Sequence, residues 1–555
     1  MNRKNSRRIT NIYFIFFGLF LALFIKIIYL QVFKSNFFQS LAQNQHYRLI
    51  KLEGKRGNIL DRQGRVLATG LRCYSVFADP KIVSDLEATA KKLSTHLDLP
   101  AKEVLSKLKK DTRFVWIKRR ISLEDKQQLS SAKLKGIGFI REEKRFYPQD
   151  ELAAAVIGIS GIDNNGLEGL ELLYDDYLSG KHGWGRVLQD SASQEIILSS
   201  QVITPQGGAD VVLSLDAQIQ YWVEKYLGEA VEKYKADAAQ AVVMDALTGQ
   251  ILALANYPGF NPNELGSVPS AQMRNKAISD MFEPGSVFKV VTLLAATAGG
   301  KISNQDIFFC EDGKFKIPGT TLHDWKPYGD LSFKEVFMKS SNIGVAKIVQ
   351  TIGPQVFYSY VKKLGFGNIT GIDLPAETEG LVKPIKKWSK TSAYIMPIGQ
   401  EIGVNLLQLA RAFATVVNGG YLVRPYVVKS ICSGQFCKET PEVKEKVITD
   451  STAQRAKNIL IEVVEEGTGK RAGLRGRKIG GKTGTAQKYD PQIKRYSPSK
   501  YRATFVGFVA DVNPPLVIGI TVDEPKRSHF GGVVAAPVFH KIAEKVIKYT
   551  QNIGI

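Results

Sequence analysis

Three short motifs, far apart in the chain, constrain the fold most, because they make one chemical unit only if the fold brings them together. The motifs are Ser286-Val-Phe-Lys289, Ser340-Ser341-Asn342 and Lys482-Thr483-Gly484-Thr485. In this order they describe a serine nucleophile with a lysine base, a relay, and a strand that binds an acyl substrate. The sequence therefore predicts an acyl-transfer site.

The first motif is informative only in its context. Ser-x-x-Lys recurs at Ser106/Lys109, Ser130/Lys133, Ser359/Lys362 and Ser497/Lys500. Ser286 differs because a turn precedes it and an apolar run typical of a buried helix follows it. The spacing of three residues predicts that Lys289 lies against the Ser286 hydroxyl. A lysine becomes a base when burial or a second cation lowers its pKa, and Lys482 is the candidate second cation.

The second and third motifs each occur once. Ser340 is the candidate relay and lies in a stretch, Ser332 to Val349, that is predicted to be helical. The third motif lies on a predicted strand edge, where a glycine permits close approach of a ligand and an extended substrate can pair as an extra strand. The candidate catalytic residues are Ser286, Lys289, Ser340 and Lys482, and the candidate substrate-binding residues are Asn342, Thr483, Gly484 and Thr485.

The beginning of the chain predicts a membrane anchor. Four Lys and Arg residues precede an apolar run, Ile12 to Leu30, that only Lys26 interrupts. Extended to Phe33, this run makes about 33 Å of helix at ~1.5 Å per residue, which is enough to cross a bilayer core. The basic flank predicts a cytoplasmic N-terminus. A cleaved signal peptide is the alternative, and Lys26 either extends its charge to the interface or faces a partner helix.

Composition narrows the classes of partner. The net charge is +22, but the basic residues are spread along the chain and no nucleic-acid-binding motif accompanies them. Anionic lipid head groups and an anionic cell-wall polymer are therefore the expected partners. Cys432 and Cys437 flank a predicted hairpin tip. They either form a disulfide or stay as two reduced thiols. No His/Cys cluster has metal-ligand spacing, so no metal is predicted.

The pattern of helices and strands predicts a mixed α+β fold. Residues 34 to 205 combine amphipathic helices with short strands and carry no nucleophile. From Leu213 onward a long helix and a hairpin come first, helices dominate to about residue 420, and three strands and a last helix follow. Turn-rich loops are predicted at 312–329 and 365–383. Strands at both ends of a helical block predict one antiparallel sheet, flanked by helices and closed by the two ends of the block.

On these residues the chain resembles class B penicillin-binding proteins, most closely the FtsI type, the septal peptidoglycan transpeptidase. Three further segments resemble the pedestal motifs of that family: Arg56 to Ala68, Glu142 to Pro148, and Gly166 to Glu171. The chain departs from the family at Ala155, where many members carry His, and at Asn405-Leu-Leu-Gln408, where Thr-Pro-Leu-Gln is usual. Neither departure touches the three catalytic motifs.

The resemblance implies four parts: a cytoplasmic tail (1–11), a transmembrane anchor (12–33), an elongated α/β pedestal (34–205) and a penicillin-binding transpeptidase domain (206–555). It implies that peptidoglycan stem peptides are cross-linked through a serine acyl-enzyme, with β-lactams as inhibitors and no cofactor. The expected partners are a glycosyltransferase of the FtsW type and other division proteins. The expected location is the bacterial inner membrane, in a single pass, with most of the chain outside the cytoplasm.

Three alternatives remain at this stage. The first is a class B transpeptidase used in lateral-wall elongation. The second is a hydrolase of the same chemistry, a D,D-carboxypeptidase or a β-lactamase, in which water replaces the acceptor amine. The third is a non-catalytic scaffold that docks division proteins, which the intact Ser286, Lys289 and Lys482 disfavour.

Overall fold

The structure is a computed structural model that describes residues 3–35, 47–52, 54–189, 195–197, 203–266, 268–490 and 494–552. The chain divides into two units. Met1–Lys55 and Gly180–Gly207 form the first, and Arg56–Ser179 and Gly208–Ile555 form the second.

The strands of both units are numbered here in chain order. They are β1 Tyr47–Leu52, β2 Ile59–Leu60, β3 Val66–Ala78, β4 Val115–Ile121, β5 Ile137–Phe146, β6 Gly183–Gln189, β7 Glu195–Ile197, β8 Asp210–Leu213, β9 Ala238–Asp245, β10 Ile251–Tyr257, β11 Ile307–Phe309, β12 Lys314–Ile317, β13 Thr320–His323, β14 Asp330–Ser332, β15 Tyr421–Val423, β16 Val428–Ser433, β17 Phe436–Glu439, β18 Lys444–Lys446, β19 Ile479–Asp490, β20 Arg495–Val509 and β21 Leu516–Asp523.

The α-helices follow the same convention. They are α1 Arg3–Ile28, α2 Leu86–Leu97, α3 Ala101–Leu108, α4 Leu123–Ser131, α5 Ala154–Ile157, α6 Gly169–Leu173, α7 Asp175–Leu178, α8 Ala217–Tyr234, α9 Ser270–Met273, α10 Lys276–Ser279, α11 Lys289–Ala298, α12 Phe333–Met338, α13 Asn342–Ile352, α14 Pro354–Lys363, α15 Ser392–Ile395, α16 Leu406–Val417, α17 Asp450–Glu465, α18 Gly531–Val534 and α19 Ala536–Asn552.

The first unit contains the predicted anchor. Helix α1 continues into a π-helical turn, Tyr29–Phe33. The stretch Arg8–Phe33 has a mean hydropathy of 2.4 and contains no buried residue, and it is the one helix in the described part of the chain that is long and apolar enough to cross a membrane. The length of this helix agrees with the prediction from the sequence. The same unit holds a small antiparallel sheet of order β1-β6-β7.

In the second unit a buried ionic cluster joins the three segments that resemble pedestal motifs. Arg56 Nη2 lies 2.7 Å from Glu171 Oε2, and Arg145 Nε lies 2.6 Å from Glu171 Oε1. Arg56 also reaches Asp175 at 2.6 Å. Arg56, Arg145 and Glu171 are buried, and because each charge has a hydrogen-bonded opposite charge, the cluster avoids the large cost of an unpaired buried ion.

In the second unit, one sheet and one hydrophobic cluster connect the segments before and after the long helix α8. The sheet has the order β17-β16-β8-β2-β3-β4, with β5 pairing to β3, so strands from before and after the long helix α8 share it. A single hydrophobic cluster likewise extends from Ile59 and Leu67 to Val506 and Phe508. The division at residue 205 stays a prediction about domains.

The third motif lies on a second sheet, of order β10-β9-β21-β20-β19. All its pairings are antiparallel, and β9 pairs with β21 from Asp245/Leu516 to Ala238/Asp523. Helices α8 and α19 pack with the sheet in one hydrophobic cluster, and α11 and α16 belong to the cluster that contains Ile59. The predicted sheet, closed by strands from both ends of a helical block, is confirmed.

Two details concern residues noted in the sequence. Cys432 and Cys437 face each other across the β16–β17 hairpin and form a disulfide. Asn405 is the N-cap of α16: its Oδ1 accepts from Gln408 N at 2.8 Å, and Gln408 Oε1 accepts from Asn405 N at 3.1 Å. Asn405 therefore starts this helix by a capping box without the proline that the family usually carries.

Candidate active site

Ser286 lies in a 3₁₀ turn, Gly285–Phe288, that leads directly into α11. Residues Lys289 to Thr297 of α11 are all buried, whereas Ser286 is partly exposed. The turn packs so closely on β19 that a Cβ added to Gly484 would lie 2.8 Å from the carbonyl oxygen of Pro284. The third motif needs its glycine for this contact.

Two buried lysines converge on one hydroxyl. Lys289 Nζ donates to the carbonyl oxygen of Ser340 at 2.8 Å, to Ser340 Oγ at 3.3 Å and to Asn342 Oδ1 at 2.8 Å. Lys482 Nζ donates to the same Ser340 Oγ at 2.8 Å. Both lysine side chains are fully buried. The hydroxyl of Ser340 thus lies between the two amines, in the position of a proton relay.

The predicted contact between Lys289 and the Ser286 hydroxyl differs from what the structure shows. Among the hydrogen bonds of the residues that the structure describes, none joins Ser286 to Lys289. The reason is that three oxygens of the second motif accept from Lys289 and draw its side chain toward Ser340. Catalytic hydrogen bonds are often long before a substrate is bound, so the prediction that Lys289 is a base does not depend on this contact.

The electrostatics of the site follow from burial. Burial lowers the pKa of Lys289 to about 7, although the Asp324 carboxylate acts in the opposite direction. Burial and then the charge of Lys289 lower the pKa of Lys482 well below its usual range. A buried ammonium is destabilised relative to the neutral amine, and a second ammonium beside it adds repulsion. The site therefore favours a neutral lysine that can accept a proton.

The second motif does not lie in a continuous helix, so the predicted helix from Ser332 to Val349 is wrong in its middle. The chain breaks between α12 and α13, where Ser340 has a φ of +61°. Such a φ is uncommon for residues other than glycine, and strain of this kind clusters at functional sites. The break turns both the carbonyl and the hydroxyl of Ser340 toward the lysines.

Asp324 holds this break in place, and sequence reasoning missed it. Its Oδ2 accepts from Ser341 Oγ at 2.6 Å, and its Oδ1 accepts from the backbone N–H groups of Asn342 and Ile343. Asp324 follows β13, inside a segment (312–329) that was predicted as loop but contains β12 and β13. A single carboxylate after a short strand carries no motif signal.

The third motif lies on β19, which pairs only with β20 within the described residues and so forms an edge of the sheet. Thr483 Oγ1 lies 2.9 Å from Thr468 Oγ1, and Thr485 Oγ1 accepts from Gly531 N at 3.0 Å. Thr468 was also missed, because it follows α17 in a segment without a recognised motif. The strand edge leaves backbone groups with which an extended peptide can pair.

The fold therefore brings the predicted residues of all three motifs together. Ser340 contacts both Lys289 and Lys482, Asn342 contacts Lys289, and the strand that carries the three remaining predicted residues packs on the turn of Ser286. No group of His, Cys, Asp and Glu with the geometry of a metal site occurs among the described residues.

Two family models match the chain. The penicillin-binding protein dimerisation domain matches residues 51–213, and the penicillin binding protein transpeptidase domain matches residues 239–544. The chain belongs to the class B penicillin-binding proteins. This confirms the resemblance on which the sequence analysis depended, and it assigns the convergent motifs to the transpeptidase domain.

Class B relatives extend the match over nearly the whole chain. The probable peptidoglycan D,D-transpeptidase PenA of Neisseria gonorrhoeae is 35% identical, over 94% of this chain and 89% of its own. The peptidoglycan D,D-transpeptidase FtsI of Escherichia coli is 30% identical, over 95% and 89%. The crystal structure of penicillin binding protein 3 from Mycobacterium tuberculosis, complexed with aztreonam, has a TM-score of 0.72 at 30% identity and covers 90% of this chain and 97% of that one. This class B protein is a peptidoglycan D,D-transpeptidase.

Proposed function

We propose that Ser286 is the nucleophile of this transpeptidase, Lys289 its base, and Ser340 a relay between Lys289 and Lys482. The observation that carries the proposal is the Ser340 hydroxyl, which is hydrogen-bonded to two fully buried lysines, one of them three residues after Ser286. A serine needs such a base because its hydroxyl is a weak nucleophile at its ordinary pKa.

The proposed reaction has two halves. Ser286 Oγ attacks the carbonyl carbon of the penultimate D-alanine of a stem peptide, and its proton passes to Lys289. The bond to the terminal D-alanine breaks, and the departing amine takes up a proton through Ser340. An amine of a second stem then attacks the ester carbonyl, and the new amide bond is the cross-link. The ester bond to Ser286 breaks, and the proton that the amine gives up returns to the Ser286 oxygen. β-Lactams acylate the same serine.

The remaining motif residues have substrate roles in this proposal. Asn342 binds the substrate amide. Thr483 and Thr485, with Lys482, bind its carboxylate. By similarity to the family, the backbone N–H groups of Ser286 and Thr485 form the oxyanion hole, where one donor is worth about 10²–10³ in rate.

The rate of acylation should depend on pH through Lys289. Since burial lowers the pKa of Lys289 to about 7, we expect the amine to be protonated and inactive below that pH and neutral above it. The acylation rate with benzylpenicillin should therefore rise with pH through an inflection near pH 7. Because Lys289 and Lys482 interact, the apparent pKa at this inflection is a property of both lysines together. Stopped-flow measurements from pH 5.5 to 9 test this, and a flat profile with intact circular dichroism would contradict the role of Lys289.

We further propose that the enzyme acts in septal wall synthesis, anchored by α1 with its N-terminus in the cytoplasm and most of the chain outside. The similarity to FtsI and the basic residues before the apolar helix support this. The proposed partner is a glycosyltransferase of the FtsW type. A fluorescently tagged copy should concentrate at midcell in dividing cells. Uniform labelling of the lateral wall would favour the elongation role.

The anchor should do more than attach the enzyme to the membrane. We propose that the face of the helix that bears Lys26 packs on a partner helix. A chain in which an unrelated single span replaces residues 12–33 should therefore attach to the membrane and bind penicillin but should not support division. Complementation of a depletion strain measures this, with a reinserted native segment as the control. If the chimera complements as well as the native chain does, the helix is a tether only.

A further inference from the structure

The hairpin formed by β19 and β20 extends beyond the sheet to which it belongs. Strand β21 pairs with β20 only from Val509 to Arg502, whereas the pairing of β19 with β20 continues to Asp490 and Arg495. We call residues 487–490 and 495–501 the hairpin arm. The two strands of the arm pair with each other, and at its base the carbonyl oxygen of Tyr501 accepts from Glu524 N at 2.8 Å. An isolated two-stranded hairpin is marginally stable in water, so side-chain contacts decide where the arm lies.

One of these contacts reaches the turn that carries Ser286. Tyr496 OH, on the arm, donates to Glu283 Oε1 at 3.0 Å. Glu283 stands three residues before Ser286, and its Oε1 also accepts from Glu401 N at 2.9 Å. Burial raises the pKa of Tyr496, so the phenol keeps the proton that it donates. Glu283 therefore ties the arm and the segment of Glu401 to the nucleophile turn.

A second side-chain contact of the arm lies at its base. Lys488 Nζ is 3.0 Å from Asp523 Oδ2 and 2.6 Å from Glu524 Oε1, at the end of β21. That contact fixes the base of the arm to the sheet. The bond of Tyr496 is different because it joins the arm to the turn of Ser286, on which Gly484 of β19 also packs.

The arm also continues the edge of the sheet, on β19, with which an extended substrate is proposed to pair. Residues 482–485 run directly into it on β19, so a peptide that pairs with this edge lies against both the motif and the arm. The direction of the arm relative to the turn then sets how the acyl carbon of such a peptide meets Ser286. Small misplacements at this step lower rates strongly, because attack requires near-contact geometry.

We propose that Tyr496 and Glu283 are positioning residues that hold the hairpin arm against the nucleophile turn and so align Ser286 with an acyl substrate on β19. The inference rests on the proposed role of Ser286. It assigns no chemical step to either residue: both act through the placement of the turn and of the strand edge.

The test compares acylation by a fluorescent penicillin in the full-length chain and its variants. Tyr496→Phe removes the donor, Glu283→Ala removes the acceptor, and Glu283→Gln keeps an acceptor oxygen. Tyr489→Phe is the matched control, because Tyr489 faces Tyr496 across the arm and its hydroxyl has no hydrogen bond within the described residues. The rate constant of acylation and the dissociation constant of the preceding complex are measured separately.

We expect Tyr496→Phe to lower the acylation rate constant about fivefold, the order of the effect of one hydrogen bond, with the dissociation constant within about twofold. Glu283→Ala should lower the rate at least as much, and Tyr496→Phe should add nothing in that background, since coupled residues are not additive. Glu283→Gln should keep most of the rate, and Tyr489→Phe should match the unmodified enzyme.

Three results would overturn the inference: equal rates for Tyr496→Phe and Tyr489→Phe, additive losses in the double variant, or a loss that appears only in the dissociation constant. If Glu283→Ala does not fold, Tyr496→Phe and Glu283→Gln still decide the question. Peptide mapping of the penicilloyl adduct separates the two proposals. An adduct away from Ser286 overturns the nucleophile assignment, whereas an adduct on Ser286 at unchanged rates overturns only the positioning role.

Discussion

Replacing Ser286 by alanine is expected to abolish covalent labelling by penicillin while the protein stays folded. The substitution removes one partly exposed hydroxyl, and no hydrogen bond of that hydroxyl occurs among the described residues, so little stability is lost. Without the hydroxyl there is no atom to form the acyl bond. Intact-mass spectrometry after incubation with benzylpenicillin measures the outcome.

The control for this experiment is Ser359→Ala. Ser359 begins another Ser-x-x-Lys pattern, but it is exposed on α14, where its hydroxyl donates to the carbonyl of Val356. This variant should label fully. A penicilloyl adduct on the Ser286→Ala protein would refute the assignment of the nucleophile.

The second large effect is expected at Lys289. Its removal should slow acylation by ~10²–10⁴, the usual range for the loss of a general base. Lys289→Met is the preferred change, because methionine keeps a long side chain in a fully buried position and lacks only the amine. Single-turnover labelling kinetics above pH 7 give the rate.

Lys362→Met provides the comparison. Lys362 also stands three residues after a serine, but it lies near the end of α14, where its amine donates to Phe366 O at 3.3 Å. Its substitution should leave acylation within about twofold, because surface changes away from special features are small. Equal rates for the two variants would show that the wrong Ser-x-x-Lys pattern was chosen.

The predictions from sequence succeeded where a residue's role depends on its near neighbours. The long helix and the hairpin after Leu213 (α8, β9 and β10) and the last helix (α19) were found because the period of apolar residues is local. The three motifs were found because each is a short run. Their convergence was predicted from the chemistry that they share and not from the spacing between them.

The contacts that were missed are between distant segments. Asp324, Thr468 and the pair of Tyr496 and Glu283 each act on a residue that is far away in the chain or on another element. Nothing in the local pattern distinguishes them from ordinary loop residues. The break at Ser340 was missed for a related reason: helical propensity on both sides is high, and tertiary contacts of the lysines and Asp324 override it.

The order of strands in the sheet that carries the third motif has a consequence for when that sheet is completed. Strand β21 is the link between the β9–β10 pair and the β20–β19 pair among the described residues, and it comes last of the five along the chain. As the chain is synthesised from its N-terminus, Ser286 appears long before the strand that joins the two halves of the sheet. Pairing over such sequence separations is slow, because chain entropy is lost before the contacts form. The sheet against which the Ser286 turn packs is therefore complete only after residues 516–523 have been made and have paired with β9 and β20.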